Sequence, residues 1–351
     1  MLPTNTTPYR RVTIRRAGSY GRLEMEECPG LTPGAGEVVV DVRAAGVNYA
    51  DVIVRMGLYA SAKELVGWPI TPGFEISGVV RAVGSGVTDL SEGARVVAVS
   101  LFFGYAGQVC VPRDQVFAIP GALSFENAAG FPAAFITAYY GLLELARPRE
   151  GQHVLVHSAA GGVGSSLVQL ARLRGCRVTG VVGGAHKVDL VRSLGADHVV
   201  DKSNQDLWRE AERLAPDGFD IVADANGVET LRQSYRHLST PGKLIVYGFA
   251  TMMPRTGGRP QWGKLVSGWL QTPRFNPFEM TQKSRSVIAF NLSYLFAQRW
   301  LLAEAMEALS GWLSEGRIRP APVKTYALEN VAQAHRDLES GRTVGKLVLL
   351  P

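Results

Sequence analysis

The first 120 residues contain short apolar runs that are separated by glycine and proline. Four of these runs are predicted to be strands: 37–44, 77–84, 94–99 and 108–112. Short strands at even spacing, with glycine and proline in the turns, are typical of a small β-barrel. The pattern therefore predicts a partly open barrel, followed by a helix that Ser124 caps and by an apolar helix over 135–145.

From residue 153 the pattern changes to alternating strands and helices. Strands are expected at 153–157, 177–182, 198–200, 219–223 and 243–248, with 287–292 as an extension of the same sheet. Helices are expected at 163–174, 186–194, 204–214, 227–237 and 300–315, and a last strand at 345–350 should rejoin the barrel. Such alternation indicates a doubly wound parallel sheet, so the chain is predicted to be of the α/β class.

The strand at 153–157 leads directly into a glycine-rich turn with the pattern A-x-G-x-x-G. Its residues are Ala159, Ala160, Gly161, Gly162, Val163 and Gly164. Gly161 lets the backbone approach a pyrophosphate, and Gly164 lets the following helix lie close to the strand. The helix N-terminus adds unpaired N–H groups and a positive dipole end. The turn therefore predicts a dinucleotide site, and a tight turn without a ligand is the alternative.

Length and composition narrow the class of protein. A chain of 351 residues favours two domains, and 46% hydrophobic with 19% charged residues is usual for a globular enzyme. No apolar run approaches twenty residues, so no integral membrane segment is expected. The N-terminus lacks the apolar core of a secretory signal, and the three cysteines form no close pairs. These features favour a cytoplasmic protein.

Most of the net charge of +6 lies in one segment, 251–286, which holds six cations and one anion. One local basic segment favours a small anionic ligand over nucleic acid, whose binding needs a longer basic surface. The segment is predicted to be a long loop, and its tryptophans and phenylalanines could line a pocket. The alternatives are a solvated loop, an oligomer contact or a helical hairpin.

The order of barrel, helix, nucleotide domain and returning tail resembles the medium-chain dehydrogenase/reductase superfamily. The motifs that carry the resemblance are 46–51 (GVNYAD), 72–75 (PGFE), 137–140 (TAYY), 159–164 and Gly345-Lys346. The resemblance implies a GroES-like barrel domain over 1–127 and 318–351. It also implies a Rossmann domain over 128–317 that contains the basic loop 251–286.

Two departures from the family pattern bear on the metal. Zinc alcohol dehydrogenases of this superfamily have a cysteine ligand where this chain has Asn48 and a histidine ligand where it has Phe74. Phe74 has no donor atom, and the amide of Asn48 is a poor zinc ligand. The chain thus resembles the zinc-free, quinone oxidoreductase-like branch, and 290–295 is most similar to its vesicle amine transport protein subgroup. No metal site is expected, and a zinc alcohol dehydrogenase remains a third interpretation.

The resemblance implies hydride transfer from a nicotinamide cofactor to an activated C=C bond of a quinone, an α,β-unsaturated ketone or an enoyl-CoA thioester. The phosphates of coenzyme A would use the basic loop, so Arg255, Arg259 and Trp262 are candidate substrate residues and a dedicated enoyl-CoA reductase is an alternative. A non-catalytic, membrane-peripheral nucleotide-binding adaptor is an alternative of another class.

NADPH is the expected cofactor because the second strand of the nucleotide domain ends without the carboxylate that NAD sites usually place there. Gly183 leaves a small gap, and Lys187 matches the family position that binds the 2′-phosphate, with Lys202 as a second cation. The resemblance also assigns Thr137, Gly248, Phe249 and Asn291 to the nicotinamide end and the glycine turn to the pyrophosphate.

For catalysis, Tyr59 is the candidate donor of a hydrogen bond or proton to the enolate, and Asn48 is the candidate holder of the substrate carbonyl or of a water. A rim position for Tyr59 and a proton from solvent are the alternatives. Asp51 is expected to be a structural partner of Asn48, and His157 is assigned no catalytic role. Relatives pair through an edge strand, so a homodimer through 287–292 is expected.

Overall fold

The computed structural model describes residues 7–119 and 123–351, which form two compact units. The first unit comprises the described part of residues 1–133 together with 256–259 and 293–351, and the second comprises 134–255 and 260–292. Residues 128–133, 256–259 and 293–317, which were expected in the Rossmann domain, are grouped with the first unit in this division by contacts, and the domain borders stay a prediction. Helices and strands are numbered below in chain order.

The strands are β1 (Tyr9–Thr13), β2 (Glu24–Cys28), β3 (Glu37–Val47), β4 (Glu75–Val83), β5 (Arg95–Val99), β6 (Gln108–Pro112), β7 (Val116–Ala118), β8 (His153–Val156), β9 (Arg177–Val182), β10 (His198–Asp201), β11 (Phe219–Asp224), β12 (Leu238–Val246), β13 (Arg285–Ala289), β14 (Val323–Ala327) and β15 (Lys346–Leu350). The α-helices are α1 (Tyr49–Arg55), α2 (Ala60–Leu65), α3 (Phe125–Ala129), α4 (Pro132–Ala138), α5 (Gly162–Leu173), α6 (Val188–Ser193), α7 (Leu207–Leu214), α8 (Val228–Arg236), α9 (Trp262–Gln271), α10 (Pro277–Gln282), α11 (Arg299–Ser314) and α12 (Val331–Glu339).

The first unit is organised around β3, which pairs antiparallel with β4, β6 and β15. Its sheet has the order β14-β15-β3-β4-β5-β7, with β6 on β3, and β1 and β2 form a separate pair. Val38, Val40 and Val42 alternate along β3 and are buried in one apolar cluster, because successive side chains of a strand point to opposite faces. The last strand, β15, joins this sheet as expected.

The second unit contains a fully parallel sheet with the order β10-β9-β8-β11-β12-β13. Counted from β8, this is the strand order 3-2-1-4-5-6 of the Rossmann fold, and the chain reverses direction across the sheet between β8 and β11. Ligands of such sheets bind beyond the carboxyl ends of the strands at this switch point. The predicted doubly wound parallel sheet is confirmed.

The prediction of one long loop over 251–286 is wrong. The segment forms a short 3₁₀ helix (Ala250–Met252), α9 and α10 before β13 begins at Arg285. The sequence of α9 does carry a helix signal, because its apolar residues recur at the helical positions 262, 265, 266, 269 and 270, and the loop prediction did not use it. None of these residues is buried, and Gln261 precedes α9 without a side-chain cap, so the usual start signal is missing.

Smaller differences occur at the ends of elements. The apolar helix expected over 135–145 consists of α4 and a π-helix (Tyr139–Ala146). The strand expected at 243–248 begins earlier, at Leu238, and the strand expected at 287–292 is β13, which ends at Ala289. Ser124 caps α3 as predicted, with its hydroxyl accepting from the Asn127 N–H.

Candidate functional site

The glycine-rich turn of the second unit is held together by the Ser158 carbonyl. Ser158 adopts a left-handed conformation (φ +54°), and its carbonyl oxygen accepts a hydrogen bond from the Gly161 N–H at 2.9 Å. A Cβ on Gly164 would lie 2.2 Å from the same oxygen, so only glycine fits there. A Cβ on Gly161 would lie 3.3 Å from it, which is tight but not excluded. Gly164 is therefore required by the turn itself.

The start of α5 remains accessible. Gly161, Gly162 and Val163 are half-buried, while the rest of the helix through Ala171 is buried. The first N–H groups of a helix have no partner within it, so they can bind an anion. Ser158 donates to the Asn226 side chain at 3.0 Å, which links the loops after β8 and β11 across the switch point. Asn226 was not singled out from the sequence.

His157 is enclosed in the core of the second unit, as expected of a residue with a structural role. It is buried, its Nε2 lies 3.0 Å from the Ser234 hydroxyl, and burial lowers its pKa. Asp224 lies 3.8 Å away and accepts hydrogen bonds from Ser234 and from the Asn226 and Gly227 N–H groups. The carboxylate thus orders the loop after β11.

Lys187 lies in a short 3₁₀ helix that follows β9, and Lys202 directly follows β10. Lys187 is buried, with 9% of its surface exposed. Burial lowers its pKa most, and repulsion from Lys202 lowers it further. Lys202 is exposed, and a Cβ on Gly183 would lie 4.0 Å from its Cε. An anion bound here would offset the repulsion that the two cations exert on each other. The structure therefore brings together the three residues that the sequence predicted for the 2′-phosphate.

The residues predicted for the nicotinamide end belong to the same edge of this sheet, with one exception. Gly248 follows β12 by two residues, and Asn291 follows β13 by two residues. A Cβ on Gly248 would meet the Ala225 carbonyl at 2.8 Å, which explains the glycine. Phe249 is exposed and its ring lies against Gly227. Thr137 lies in α4, where it is half-buried between buried neighbours.

In the first unit, Asn48 belongs to a closed ring of three side chains. Its Nδ2 donates to Glu75 Oε1 at 2.9 Å, and its Oδ1 accepts from Lys346 Nζ at 2.6 Å. Lys346 and Glu75 close the ring as an ion pair at 2.7 Å. Glu75 and Lys346 are buried, whereas Asn48 is half-buried. Both partners occur in motifs noted from the sequence, but nothing in the sequence assigned them a role.

Asp51 accepts hydrogen bonds from the Asn48 N–H (2.8 Å), the Gly73 N–H (2.8 Å) and the Tyr105 hydroxyl (2.9 Å). Complete burial raises its pKa to about 7, and these hydrogen bonds and the Lys346 charge oppose the rise. Asp51 thus orients the start of α1 and the turn at Gly73, in the structural role expected of it.

The hydroxyl of Tyr59 lies 2.9 Å from the hydroxyl of Ser293, which is buried. The Tyr59 ring makes edge-on contacts with Phe74 and Phe102, at centroid distances of 5.9 Å and 6.4 Å. Tyr59 is therefore held by an apolar cluster, with Ser293 as a hydroxyl partner that the sequence did not reveal.

The predicted substrate residues of the basic segment are all exposed. Trp262 is 67% exposed and lines a shallow depression of about 580 Å³ on α9 with Val266 and Leu270. Neither Arg255 nor Arg259 lines it, although both are exposed. Within the first unit, the nearby Gly258 carbonyl accepts a hydrogen bond from Arg55 at 3.1 Å.

The residues at the predicted zinc positions do not form a metal-binding set. Phe74 lacks a donor atom, and the amide oxygen of Asn48 is already bound by Lys346. Over residues 7–119 and 123–351, no three histidine, cysteine or carboxylate side chains are grouped so that they could hold a metal ion. No helix in the described part of the chain is long and apolar enough to cross a membrane.

Comparison with known proteins identifies the family. Residues 34–139 match the alcohol dehydrogenase GroES-like domain, and residues 194–349 match the family described as zinc-binding dehydrogenase. The rat synaptic vesicle membrane protein VAT-1 homolog is 33% identical over 347 residues, which is 98% of this chain and 84% of the rat protein.

Two solved structures extend the comparison. Escherichia coli quinone oxidoreductase, complexed with NADPH, superposes with a TM-score of 0.82 at 27% identity, covering 97% of this chain and 100% of that one. CurK enoyl reductase superposes with a TM-score of 0.84 at 27% identity, covering 97% and 99%. The chain therefore belongs to the medium-chain dehydrogenase/reductase superfamily, in the zinc-free branch that includes the VAT-1 homologues.

Proposed function

We propose that the protein is a zinc-independent, NADPH-dependent reductase that transfers a hydride to an activated C=C bond of a quinone, an α,β-unsaturated ketone or an enoyl thioester. The family and its structural neighbours support an oxidoreductase, since one neighbour is a quinone oxidoreductase and another an enoyl reductase. The observation that carries the proposal is the accessible N-terminus of α5 at the switch point, together with the lysine pair at the ends of β9 and β10.

The residues present fit NADPH. The half-buried start of α5 would hold the pyrophosphate through its N–H groups, and Lys187 and Lys202 would hold the 2′-phosphate. Thr137, Gly248, Phe249 and Asn291 are proposed for the nicotinamide end. Bound NADPH supplies a hydride from its nicotinamide ring.

Asn48 and Tyr59 are the proposed catalytic residues of the first unit. Reduction at the β-carbon of the acceptor leaves negative charge on its carbonyl oxygen, and a hydrogen-bond donor aimed at that oxygen stabilises the enolate. The Asn48 side-chain amide and the Tyr59 hydroxyl are the proposed donors. Tyr59, paired with Ser293, can also pass a proton towards the enolate.

The test is an NADPH-oxidation screen over quinones, enones and enoyl-CoA esters, with NADH in parallel. Turnover of at least one acceptor class, with NADPH preferred, is the expected result. A Lys187→Ala variant should lose the preference for NADPH while keeping its turnover with NADH. If the wild type binds NADPH but reduces no acceptor class, the proposed reaction is wrong.

Within this class, coenzyme A esters are the proposed substrates that would use the basic segment. Arg255→Ala and Arg259→Ala should each raise KM for crotonyl-CoA several-fold without changing KM for a small enone. Arg274→Ala is the matched control from the same segment. Equal kcat/KM for crotonyl-CoA and a small enone in the wild type would leave the arginines without this role.

Homodimer formation is proposed through β13, which is an edge strand of the parallel sheet in the described structure. An exposed edge presents unpaired backbone groups that a second copy can pair with. Light scattering should report twice the chain mass, and Ile288→Pro in β13 should reduce it to one. A monomeric wild type would contradict this assembly.

A second candidate function, peripheral binding to anionic lipid, is favoured by α9. Trp262, Trp269 and Leu270 are 67%, 68% and 70% exposed, and the segment around them is strongly basic. Tryptophan with basic residues suits the interface of an anionic bilayer. Vesicles with phosphatidylserine should pellet the wild type at low salt but not Trp262→Ser/Trp269→Ser. Trp300→Ser, which removes an exposed tryptophan of α11, is the control.

A further inference from the structure

The ring of Asn48, Glu75 and Lys346 determines which atom of the Asn48 amide can act on a ligand. A lysine ammonium only donates hydrogen bonds, and a carboxylate only accepts them. Because Lys346 lies at Oδ1 and Glu75 at Nδ2, the amide orientation follows from chemistry. A flipped amide would place NH₂ against the ammonium and oxygen against the carboxylate.

The ring leaves one hydrogen of Asn48 for a ligand. The amide nitrogen carries two hydrogens, and Glu75 accepts one of them at 2.9 Å. Among the described residues, no second acceptor contacts this nitrogen. Its oxygen is bound by the cation of Lys346, which draws electrons through the amide and strengthens the remaining N–H as a donor. Asn48 is also the half-buried member of the ring, so a ligand can reach it.

The two partners are themselves fixed. Lys346 Nζ also donates to the Val47 carbonyl at 3.1 Å, and Glu75 Oε2 accepts from the Ala133 N–H at 2.8 Å. Both residues begin strands of the same sheet, β4 and β15, and both strands pair with β3, which ends at Val47 just before Asn48. The sheet thus sets the distances within the ring.

We propose that Lys346 and Glu75 are positioning residues that hold Asn48 as a one-directional hydrogen-bond donor to the carbonyl oxygen of the substrate. This inference rests on the proposed function and assigns roles that the family resemblance did not supply. The pair acts only through Asn48, because both charged side chains are buried. Their removal should therefore lower kcat rather than weaken NADPH binding.

A double-mutant cycle in kcat tests the proposal. Lys346→Met alone leaves a buried carboxylate without its cation, so Glu75→Gln/Lys346→Met is used as a charge-balanced variant. We expect Asn48→Ala to lower kcat about 30-fold and the paired variant to lower it about 10-fold. In the Asn48→Ala background the paired change should cost less than about twofold, since the residues act as one unit.

Three further variants test the donor role of Asn48 and the role of the Lys346 charge separately. Asn48→Asp retains the size but loses the donor, so its kcat should fall as far as that of Asn48→Ala. Lys346→Arg keeps a charged donor towards Asn48 and should recover part of the loss. Lys324→Met removes an exposed lysine of the same unit that pairs with Asp337 at 2.8 Å, and it should leave kcat within about twofold.

A spectroscopic readout tests the ring without any reaction. In ¹⁵N-labelled protein, the Asn48 side-chain NH₂ signals, assigned by their loss in Asn48→Ala, should move in the paired variant and stay unchanged in Lys324→Met. Additive losses of kcat, or unmoved NH₂ signals, would overturn the proposal. A wild type without turnover on any acceptor is a separate result, because it removes the proposed reaction itself.

Discussion

Gly161 and Gly164 belong to one turn, but the space around them differs, so alanine should have a different effect at each position. A Cβ at Gly164 would lie 2.2 Å from the Ser158 oxygen, whereas an ordinary C···O contact needs about 3.3 Å or more. In Gly164→Ala the turn must therefore move by about 1 Å, against the hydrogen bond that the same oxygen accepts from Gly161. At Gly161 a Cβ would lie 3.3 Å from that oxygen, in extended backbone (φ −83°) that alanine also adopts.

Overpacking of this kind costs about 3 kcal/mol, so Gly164→Ala should lower the free energy of unfolding by that amount. For a unit of this size the melting temperature should fall by about 6–12 °C. Gly161→Ala should change the stability by less than about 1 kcal/mol. It should nevertheless weaken NADPH binding about tenfold or more, because its methyl group would occupy the proposed approach of the pyrophosphate.

Differential scanning fluorimetry and NADPH titration separate these effects. Gly263→Ala in α9, where a Cβ would meet nothing within 4 Å, is the control and should not lower the melting temperature. A Gly164→Ala variant that melts with the wild type, or a Gly161→Ala variant that loses as much stability as Gly164→Ala, would contradict these separate roles of the two glycines.

Lys187→Ala should weaken NADPH binding by about 10-fold or more and leave NADH binding unchanged, and titration of both cofactors checks this. Tyr59→Phe should lower kcat with little effect on the dissociation constant of NADPH; unchanged turnover would remove Tyr59 from catalysis. Burial lowers the pKa of His153 to about 4. The unfolded chain therefore takes up a proton below about pH 6.5 that the folded chain does not, and stability should fall by up to about 3 kcal/mol as the pH drops towards 4. Urea unfolding at several pH values should show this slope, and His153→Gln should flatten it.

Local patterns were sufficient to predict the strands and helices of the second unit from β8 to β12. The strand, glycine turn and helix around Gly161 lie within about twenty consecutive residues, and each leaves a periodicity or a turn signal of its own. Lys187 and Lys202 were singled out by the family resemblance, and their role at the 2′-phosphate stays a prediction. In this part of the chain only the ends of elements differ from the prediction: β12 begins at Leu238, whereas the strand was expected to begin at 243.

The basic segment is where the prediction was wrong although the pattern was present. Apolar residues at 262, 265, 266, 269 and 270 have the spacing of an amphipathic helix, yet the segment was interpreted as a loop. The structure buries none of these residues within the described chain. Periodicity along one chain reveals an apolar face on α9, but it does not reveal which partner would cover that face.

By itself, the sequence determined the α/β class, the glycine-rich turn and the absence of zinc-type ligands at Asn48 and Phe74, because each depends on neighbouring residues or on the chemistry of one side chain. Tertiary structure alone decided the surroundings of Asn48. Lys346 is 298 residues away in the chain and Glu75 is 27 away, and they meet only because β15 and β4 both pair with β3. Hydrogen bonding between such distant residues leaves no periodic trace in a sequence, since it depends on strand register rather than on spacing along the chain.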